Sequence, residues 1–247
     1  MTDLDDHQLA AEIAQSTGDK LVDLLQNTPS HQRGWGGLEY EGDAMAHHHI
    51  VDCLRASRPL DAVLSEEGRD DRSRLRESRV WIVDPLDGSS DYGYSPHWAV
   101  HIALVIDGEP TAGAVAVPGW ETTWATEPRP APIMSRVGHR PRIVVSRSRS
   151  HYDGRLLQEG LNAEVMAVGS AGVKAMAVVR GDVDAYVHGG GLYEWDSCAP
   201  VAVARAAGLV CCRTDGAELE FNKSDPWSPG LVIARPELVD DIVAVMS

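Results

Sequence analysis

Basic residues are scarce in this chain: 22 Lys and Arg stand against 37 Asp and Glu among 247 residues, a formal net charge of −15. A field of that sign repels a polyphosphate backbone and an anionic bilayer, which sets aside non-specific nucleic-acid and membrane-surface binding. A small phosphorylated substrate stays open, because a bound divalent cation reverses the local sign. Long apolar runs are missing too. None approaches the roughly 20 residues of a membrane-spanning helix, and the first residues, Met1-Thr2-Asp3-Leu4-Asp5-Asp6, are acidic, the opposite of a secretory leader. Cysteine is limited to Cys53, Cys198, Cys211 and Cys212. No C-x-x-C pair occurs, and two adjacent cysteines make a poor zinc or disulfide framework. The expectation is reduced thiols in a cytoplasmic protein. There is no internal repeat and no low-complexity tract. What is present is 43% hydrophobic and 24% charged, ordinary for a soluble globular chain. At roughly 150 residues per domain the length suits one or two domains.

Leu9, Ile13, Leu21, Leu24 and Leu25 recur near helical spacing and predict an amphipathic helix over about Leu4 to Leu25. Thr28 to Gly37 reads as a loop, and a second helix is expected from Asp43, placed to start it, to about Leu54. Ala62 to Ser65 and Val80 to Val83 are short strand-like runs that end at acidic residues. His97 to Val105 and Thr111 to Val117 read as two strands joined by the Asp107-Gly108 turn. A Pro-rich segment, Glu127 to Pro132, marks a boundary. Beyond it strands at Arg142–Ser146, Val165–Val168 and Asp184–His188 alternate with helices at His151–Glu159, Ala171–Arg180 and Asp196–Ala207, the last closed by Gly208. Such alternation argues for an α/β second half.

Three segments carry groups suited to chemistry. In Trp81-Ile82-Val83-Asp84-Pro85-Leu86-Asp87-Gly88-Ser89-Ser90 a buried strand delivers Asp84 at its tip, and Pro85 stops the ladder for want of an N–H. Asp87 can turn back beside Asp84, and two carboxylates that close call for a cation; hard oxygen ligands suit Mg²⁺. Gly88 lets the backbone approach a ligand. Ser89 and Ser90 offer N–H groups and hydroxyls to an anion where a helix could begin. The same pattern also fits an Asp-Pro turn with a capping Asp. Leu64-Ser65-Glu66-Glu67 places two carboxylates at the end of a strand, which also fits a solvated strand end. Gly189 to Pro200 leads a glycine run into Asp196 at a helix start, which also fits an ordinary N-cap.

Taken together, Glu66-Glu67, Asp84 to Ser89, and Trp195-Asp196 with Ala207-Gly208 resemble the inositol-monophosphatase superfamily of Mg²⁺-dependent, lithium-sensitive phosphatases, in order and over nearly the whole chain. Asp61 to Glu67, Trp98 to Leu104, Gly169 to Val178 and Glu194 to Ser197 resemble more particularly its actinobacterial branch of CysQ-type 3′(2′),5′-bisphosphate nucleotidases. The resemblance implies an α+β fold, the layered α-β-α-β-α sandwich of the family. Residues 1–135 would form an N-terminal α+β part with most metal ligands, and residues 136–247 a C-terminal α/β part contributing Asp196 and substrate contacts.

The resemblance further implies that Glu66, Asp84, Asp87, Asp196 and the carbonyl of Leu86 hold two or three Mg²⁺ ions. Ser89 would hydrogen-bond the attacking water, paired with Asp43. Gly88, Ser89 and Ser90 would cradle the phosphate. Gly169, Ser170 and Ala171 form a small-residue helix start suited to a ribose or second phosphate. Lys174 either adds a cation there or is a solvated helix lysine, and Glu194 is placed to touch a sugar hydroxyl. His47-His48-His49 is a helix feature rather than a metal site, since consecutive helical residues point apart. Trp35, Trp120, Trp124 and Trp227 are expected to pack rather than to stack on a base.

The sequence departs from the pattern at Ser89, where the family usually has Thr, at the Ser90-Asp91-Tyr92 rim, and at Glu39 to Gly42. The expected activity is hydrolysis of the 3′-phosphate of adenosine 3′,5′-bisphosphate, by a monomer or homodimer acting on a small phosphorylated substrate. Two alternatives stand beside it: an inositol or sugar monophosphatase, in a specialised biosynthetic pathway, and a regulatory protein-binding relative.

Overall fold

The structure, a computed structural model, describes residues 4–29, 37–131, 138–149 and 151–247. In chain order the elements are α1 (Asp6–Asn27), α2 (Gly37–Ser57), β1 (Ala62–Ser65), β2 (Arg79–Asp87), β3 (Ala99–Ile106), β4 (Glu109–Val117), β5 (Thr122–Ala125) and β6 (Arg142–Ser146). There follow α3 (Asp153–Leu161), β7 (Glu164–Val168), α4 (Ala171–Val179), β8 (Ala185–His188), β9 (Leu192–Tyr193), α5 (Glu194–Ala206), β10 (Val210–Cys212), β11 (Trp227–Ser228), β12 (Leu231–Ala234) and α6 (Val239–Met246).

One sheet runs β1-β2-β3-β4-β5 and another β10-β12-β8-β6-β7, with a small β11-β9 ribbon beside them. In the first, β1 pairs parallel with β2 and the rest is antiparallel. In the second, β6 is parallel to both β7 and β8, while β12 runs antiparallel to β8 and β10. Helices α1 and α2 cover one face of the first sheet; α4 and α5 lie between the sheets; α3 and α6 cover the far face of the second. That is the expected α-β-α-β-α sandwich.

Helix α1 forms because its buried residues, Leu9, Ala10, Ile13, Ala14, Thr17 and Leu21, make one continuous stripe. Its N-terminus is closed by a reciprocal pair in which Asp5 accepts from the Gln8 N–H and Gln8 accepts from the Asp5 N–H. The β3–β4 hairpin turns at Asp107 and Gly108, whose φ values of 51° and 88° are the left-handed pair that matches strand twist. A single core cluster draws Val80, Ile82, Val105 and Val115 from the first sheet, Val173, Met176, Cys198 and Val203 from the sandwiched helices, and Tyr186 and Ile233 from the second sheet. The boundary expected at 135/136 falls outside the described residues, and this packing joins whatever lies on either side of it.

Several expectations change. Helix α2 begins at Gly37, so Asp43 lies inside it, not at its start. Five strands, β5, β9, β10, β11 and β12, and helix α6 were not anticipated, because two- to four-residue strands carry too little periodicity to read. Trp120 and Trp124 pack edge to face at 5.9 Å, as expected, whereas Trp227 is 46% exposed; Trp35 lies outside the described residues. The histidines of α2 diverge: His47 meets Ser65 Oγ, His48 its own helix at the Ala44 carbonyl, and His49 Ser16 Oγ. All four cysteines are buried and unpaired. Among the described residues no helix is long and apolar enough to cross a membrane.

The α1 cap gives a direct test. Asp5→Ala removes the side-chain acceptor and is expected to lower the unfolding free energy by about 1 kcal/mol, read by urea denaturation, with Asp5→Asn losing less.

Candidate metal centre

Strand β2 is buried along its length to Asp87, and Pro85 interrupts its ladder two residues before the end. The pairing register with β3 shifts between Asp84, opposite His101, and Asp87, opposite Ala99. The Leu86 N–H, free of the ladder, donates to Asp84 Oδ1 at 3.1 Å. This kink brings Asp84 and Asp87 to one side. Asp196, in the first turn of α5, completes the group: one carboxylate oxygen from each of Asp84, Asp87 and Asp196 lies within 4.8 Å of the others. Glu66, just past β1, is exposed and lies near enough to feel the charges of Asp196 and Asp87.

The four carboxylates are not equivalent. Asp87 is 6% exposed and lies at the N-terminus of α4, accepting from the Ala171 N–H at 3.0 Å, the Gly172 N–H at 2.7 Å and the Ser170 hydroxyl. His101 Nε2 stands 3.2 Å from Asp87 Oδ2, while His101 Nδ1 donates to the Trp195 carbonyl at 3.0 Å. A carbonyl only accepts, so Nδ1 carries a proton, and Nε2 faces the Asp87 carboxylate without making a hydrogen bond. Burial opposes ionisation of Asp87, but His101, Lys174 and Ser170 outweigh it and hold its carboxyl far below the usual range. Burial likewise opposes a charge on His101, and Asp87 overcomes it, raising the imidazole above its ordinary value.

The others have mainly carboxylates for company. Asp84 is driven well above the usual range by burial and then by Asp87, Glu66 and Asp196. Glu66 is pushed up to about 7 by desolvation and then by Asp196. Asp196 is pushed up to about 6 by burial and then by Asp87, although it accepts from the Tyr193 N–H at 2.7 Å. Asp43, on α2, is pushed up to about 7 by burial and then by Glu67, Glu66 and Glu39. Oxygen donors alone, crowded and short of counter-charge, fit a hard divalent cation. Asp84, Asp87, Asp196 and Glu66 are the residues that would hold it.

Other expected site residues fall differently. Gly88 has φ 86°, and a Cβ there would fall 2.8 Å from the His97 carbonyl oxygen, so the turn requires glycine. Ser89 and Ser90 follow in a three-residue 3₁₀ turn, Ser89–Asp91, rather than a full helix. No hydrogen bond joins Ser89 to Asp43 among the described residues. At the start of α4, where Gly169, Ser170 and Ala171 are the residues expected to receive substrate, the Ser170 hydroxyl and the Ala171 N–H bind Asp87.

Lys174 is not a solvated helix lysine. It is 2% exposed, its ammonium bonded to the Val168 and Ser170 carbonyls and 5.0 Å from the Tyr186 ring centroid. Burial lowers its pKa to about 8. Glu194, expected to touch a sugar hydroxyl, is 0% exposed, accepts from the Asn222 and Lys223 N–H groups at 2.6 and 3.0 Å and anchors that loop. The residue missed by motif reading is His101. Its signal was present: one imidazole in the otherwise apolar run Val100-His101-Ile102-Ala103-Leu104.

The model of the inositol monophosphatase family matches residues 10–244. The chain is 41% identical, over 99% of its length and 94% of the relative's, to the 3′-phosphoadenosine 5′-phosphate phosphatase of Mycobacterium leprae. In fold it is similar to CysQ of Bacteroides thetaiotaomicron, with a TM-score of 0.76 and 24% identity covering 93% of this chain and 97% of that one. It is also similar to inositol monophosphatase II of Staphylococcus aureus, with a TM-score of 0.80 and 22% identity covering 96% and 91%.

Raised carboxyl pKa values set the sign of a pH effect. Asp43, Glu66 and Asp196 keep protons in the folded state at pH values where the unfolded chain, titrating near 4, has lost them. Stability is therefore fullest below that range and is lost as pH rises through about 6 to 7. Metal-stripped protein is expected to melt at a lower temperature at pH 8 than at pH 5.5, and saturating Mg²⁺ to remove most of that difference. Melting temperatures that ignore both pH and Mg²⁺ would contradict the assignment of these residues to one cation site.

Proposed function

The chain belongs to the inositol monophosphatase family, and we propose that it is a Mg²⁺-dependent phosphomonoesterase that removes the 3′-phosphate of adenosine 3′,5′-bisphosphate. The convergence of Asp84, Asp87 and Asp196 within 4.8 Å, with Glu66 beside them, carries the reaction type. The substrate follows from likeness, over nearly the whole chain, to a relative named for 3′-phosphoadenosine 5′-phosphate.

In this reading Glu66, Asp84, Asp87, Asp196 and the Leu86 carbonyl would hold two or three Mg²⁺ ions. When bound, they neutralise phosphate charge and favour ionisation of water. The chain's own groups do the positioning. The bend at Gly88 presents Ser89 and Ser90 to the phosphate. Asp43 and the Ser89 hydroxyl orient the attacking water, whose proton passes to a carboxylate of the cluster. The water oxygen bonds to phosphorus as the bond from phosphorus to the ribose 3′-oxygen breaks, and that oxygen takes up the proton from the carboxylate to leave as a hydroxyl. Inorganic phosphate and adenosine 5′-monophosphate leave. No covalent protein intermediate is needed, since phosphoryl transfer depends on alignment and charge neutralisation. His101 and Lys174, both buried, keep Asp87 ionised throughout.

Phosphate release with Mg²⁺ from adenosine 3′,5′-bisphosphate, adenosine 5′-monophosphate, inositol 1-phosphate and several sugar phosphates tests the reading. The bisphosphate is expected to be the preferred substrate. Asp87→Asn and Asp196→Asn each are expected to lower kcat/KM by at least about 100-fold, since bound cations supply several kcal/mol of transition-state stabilisation. Preference for a monophosphate would keep the metal chemistry and overturn the substrate. Silence on every substrate would overturn both.

A further inference from the structure

A cavity of about 400 Å³ is walled by α2, by the outer edge of β1 and by the loop that follows β1. From α2 come His47, Val51 and Arg55, spaced four apart and so on one face of the helix. The carboxylates of the wall are already engaged. Asp61 accepts from Arg79 and the Trp81 indole, Asp70 from Arg74, and Asp71 from the Ser73 N–H. The arginines of the wall are not. Arg55 and Arg69 are exposed, and neither makes a hydrogen bond or an ion pair among the described residues. Asp71, held low first by its bonds to Ser73, also feels the charge of Arg69 without pairing with it.

The backbone adds donors. Strand β1 ends its sheet, and the Glu66 N–H donates to the Val83 carbonyl on β2. By strand alternation the Val63 and Ser65 N–H groups therefore point away from β2, to the side of the cavity they line. An edge strand leaves such groups without a ladder partner. Two guanidinium forks and two backbone donors, on a chain of net charge −15, suit a phosphate dianion. Val51, Pro59 and Val63 share the wall and suit a small carbon body beside the charge.

The wall is continuous with the metal centre. His47 Nδ1 is 2.9 Å from Ser65 Oγ, and the Ser65 carbonyl accepts from the Gly68 N–H at 3.0 Å, closing the turn that carries Glu66 and Glu67. A Cβ on Gly68 would fall 3.5 Å from His47 Cε1, so helix and turn are in contact. We propose that this cavity binds a small organic molecule through its phosphate group, held between Arg55 and Arg69, and that its occupancy steadies the turn carrying Glu66. The site is separate from the metal centre and does not depend on which phosphate ester that centre hydrolyses.

The test is titration calorimetry of Mg²⁺-loaded protein with n-propylphosphonate, a phosphate-monoester analogue whose carbon–phosphorus bond resists hydrolysis. Arg55→Ala and Arg69→Ala are each expected to weaken the cavity site at least about tenfold, the scale of a hydrogen bond to a charged group. Both should melt with the wild type, since both side chains are exposed and unbonded. Arg76→Ala removes an exposed arginine outside the cavity and should leave binding unchanged. Wild-type binding in the Arg55→Ala/Arg69→Ala double variant, or an equal loss in Arg76→Ala, would overturn the site. Inorganic phosphate held there as tightly as propylphosphonate would overturn the organic part of the ligand. Propylphosphonate is also expected to lower the Kd for Mg²⁺ more in the wild type than in the double variant, and equal shifts would overturn the coupling to Glu66.

Discussion

The buried carboxylate of Asp87 is the constraint around which this fold is assembled. Burying an ionised carboxyl without partners costs far more than a small protein's whole stability. Asp87 avoids that cost through groups from two other elements, the start of α4 and β3. The N–H groups that open α4 donate to it, the Ser170 hydroxyl adds a third bond, and His101 on β3 stands against it. A helix N-terminus is a favourable place for an anion because unpaired N–H groups and the helix dipole both point at it. His101 extends the link by donating to the Trp195 carbonyl at the head of α5. One carboxylate therefore fastens both sandwiched helices to the first sheet, and the second sheet packs on those helices.

The local parts of this arrangement were legible in the sequence. The strand ending at Asp84-Pro85, the glycine after Asp87 and the tryptophan before Asp196 each report a local event: a ladder interrupted, a left-handed turn, a helix begun. Strands β6 to β8 and helices α4 and α5 carry enough periodicity to be placed within a residue or two. What was illegible depends on partners far away in the chain. Nothing near Lys174 says that its ammonium turns inward to the Val168 and Ser170 carbonyls, and nothing near Glu194 says that it holds the loop at Asn222. Asp91 looked like drift from a family pattern. In the fold it is one half of an ion pair whose other half lies 56 residues away. Asp43 was misplaced for a simpler reason: an acidic residue at an apparent helix start is also what the interior of a polar-faced helix shows.

The division of charge among the carboxylates explains why the site is suited to a cation. Asp87 is satisfied by the protein, and so it costs little to keep ionised. Asp84, Glu66 and Asp196 are surrounded chiefly by one another, and their raised pKa values show that the protein gives them too little positive charge. Either protons or a cation must supply it. Near neutral pH protons are scarce for groups titrating at about 6 to 7, so a divalent ion has the advantage. A site built wholly like Asp87 would be stable and inert, since its negative charge would already be spent on the protein. A site with no residue like Asp87 would lose its geometry when the cation left. Combining the two lets the fold keep its shape while reserving the unpaired oxygens for the metal.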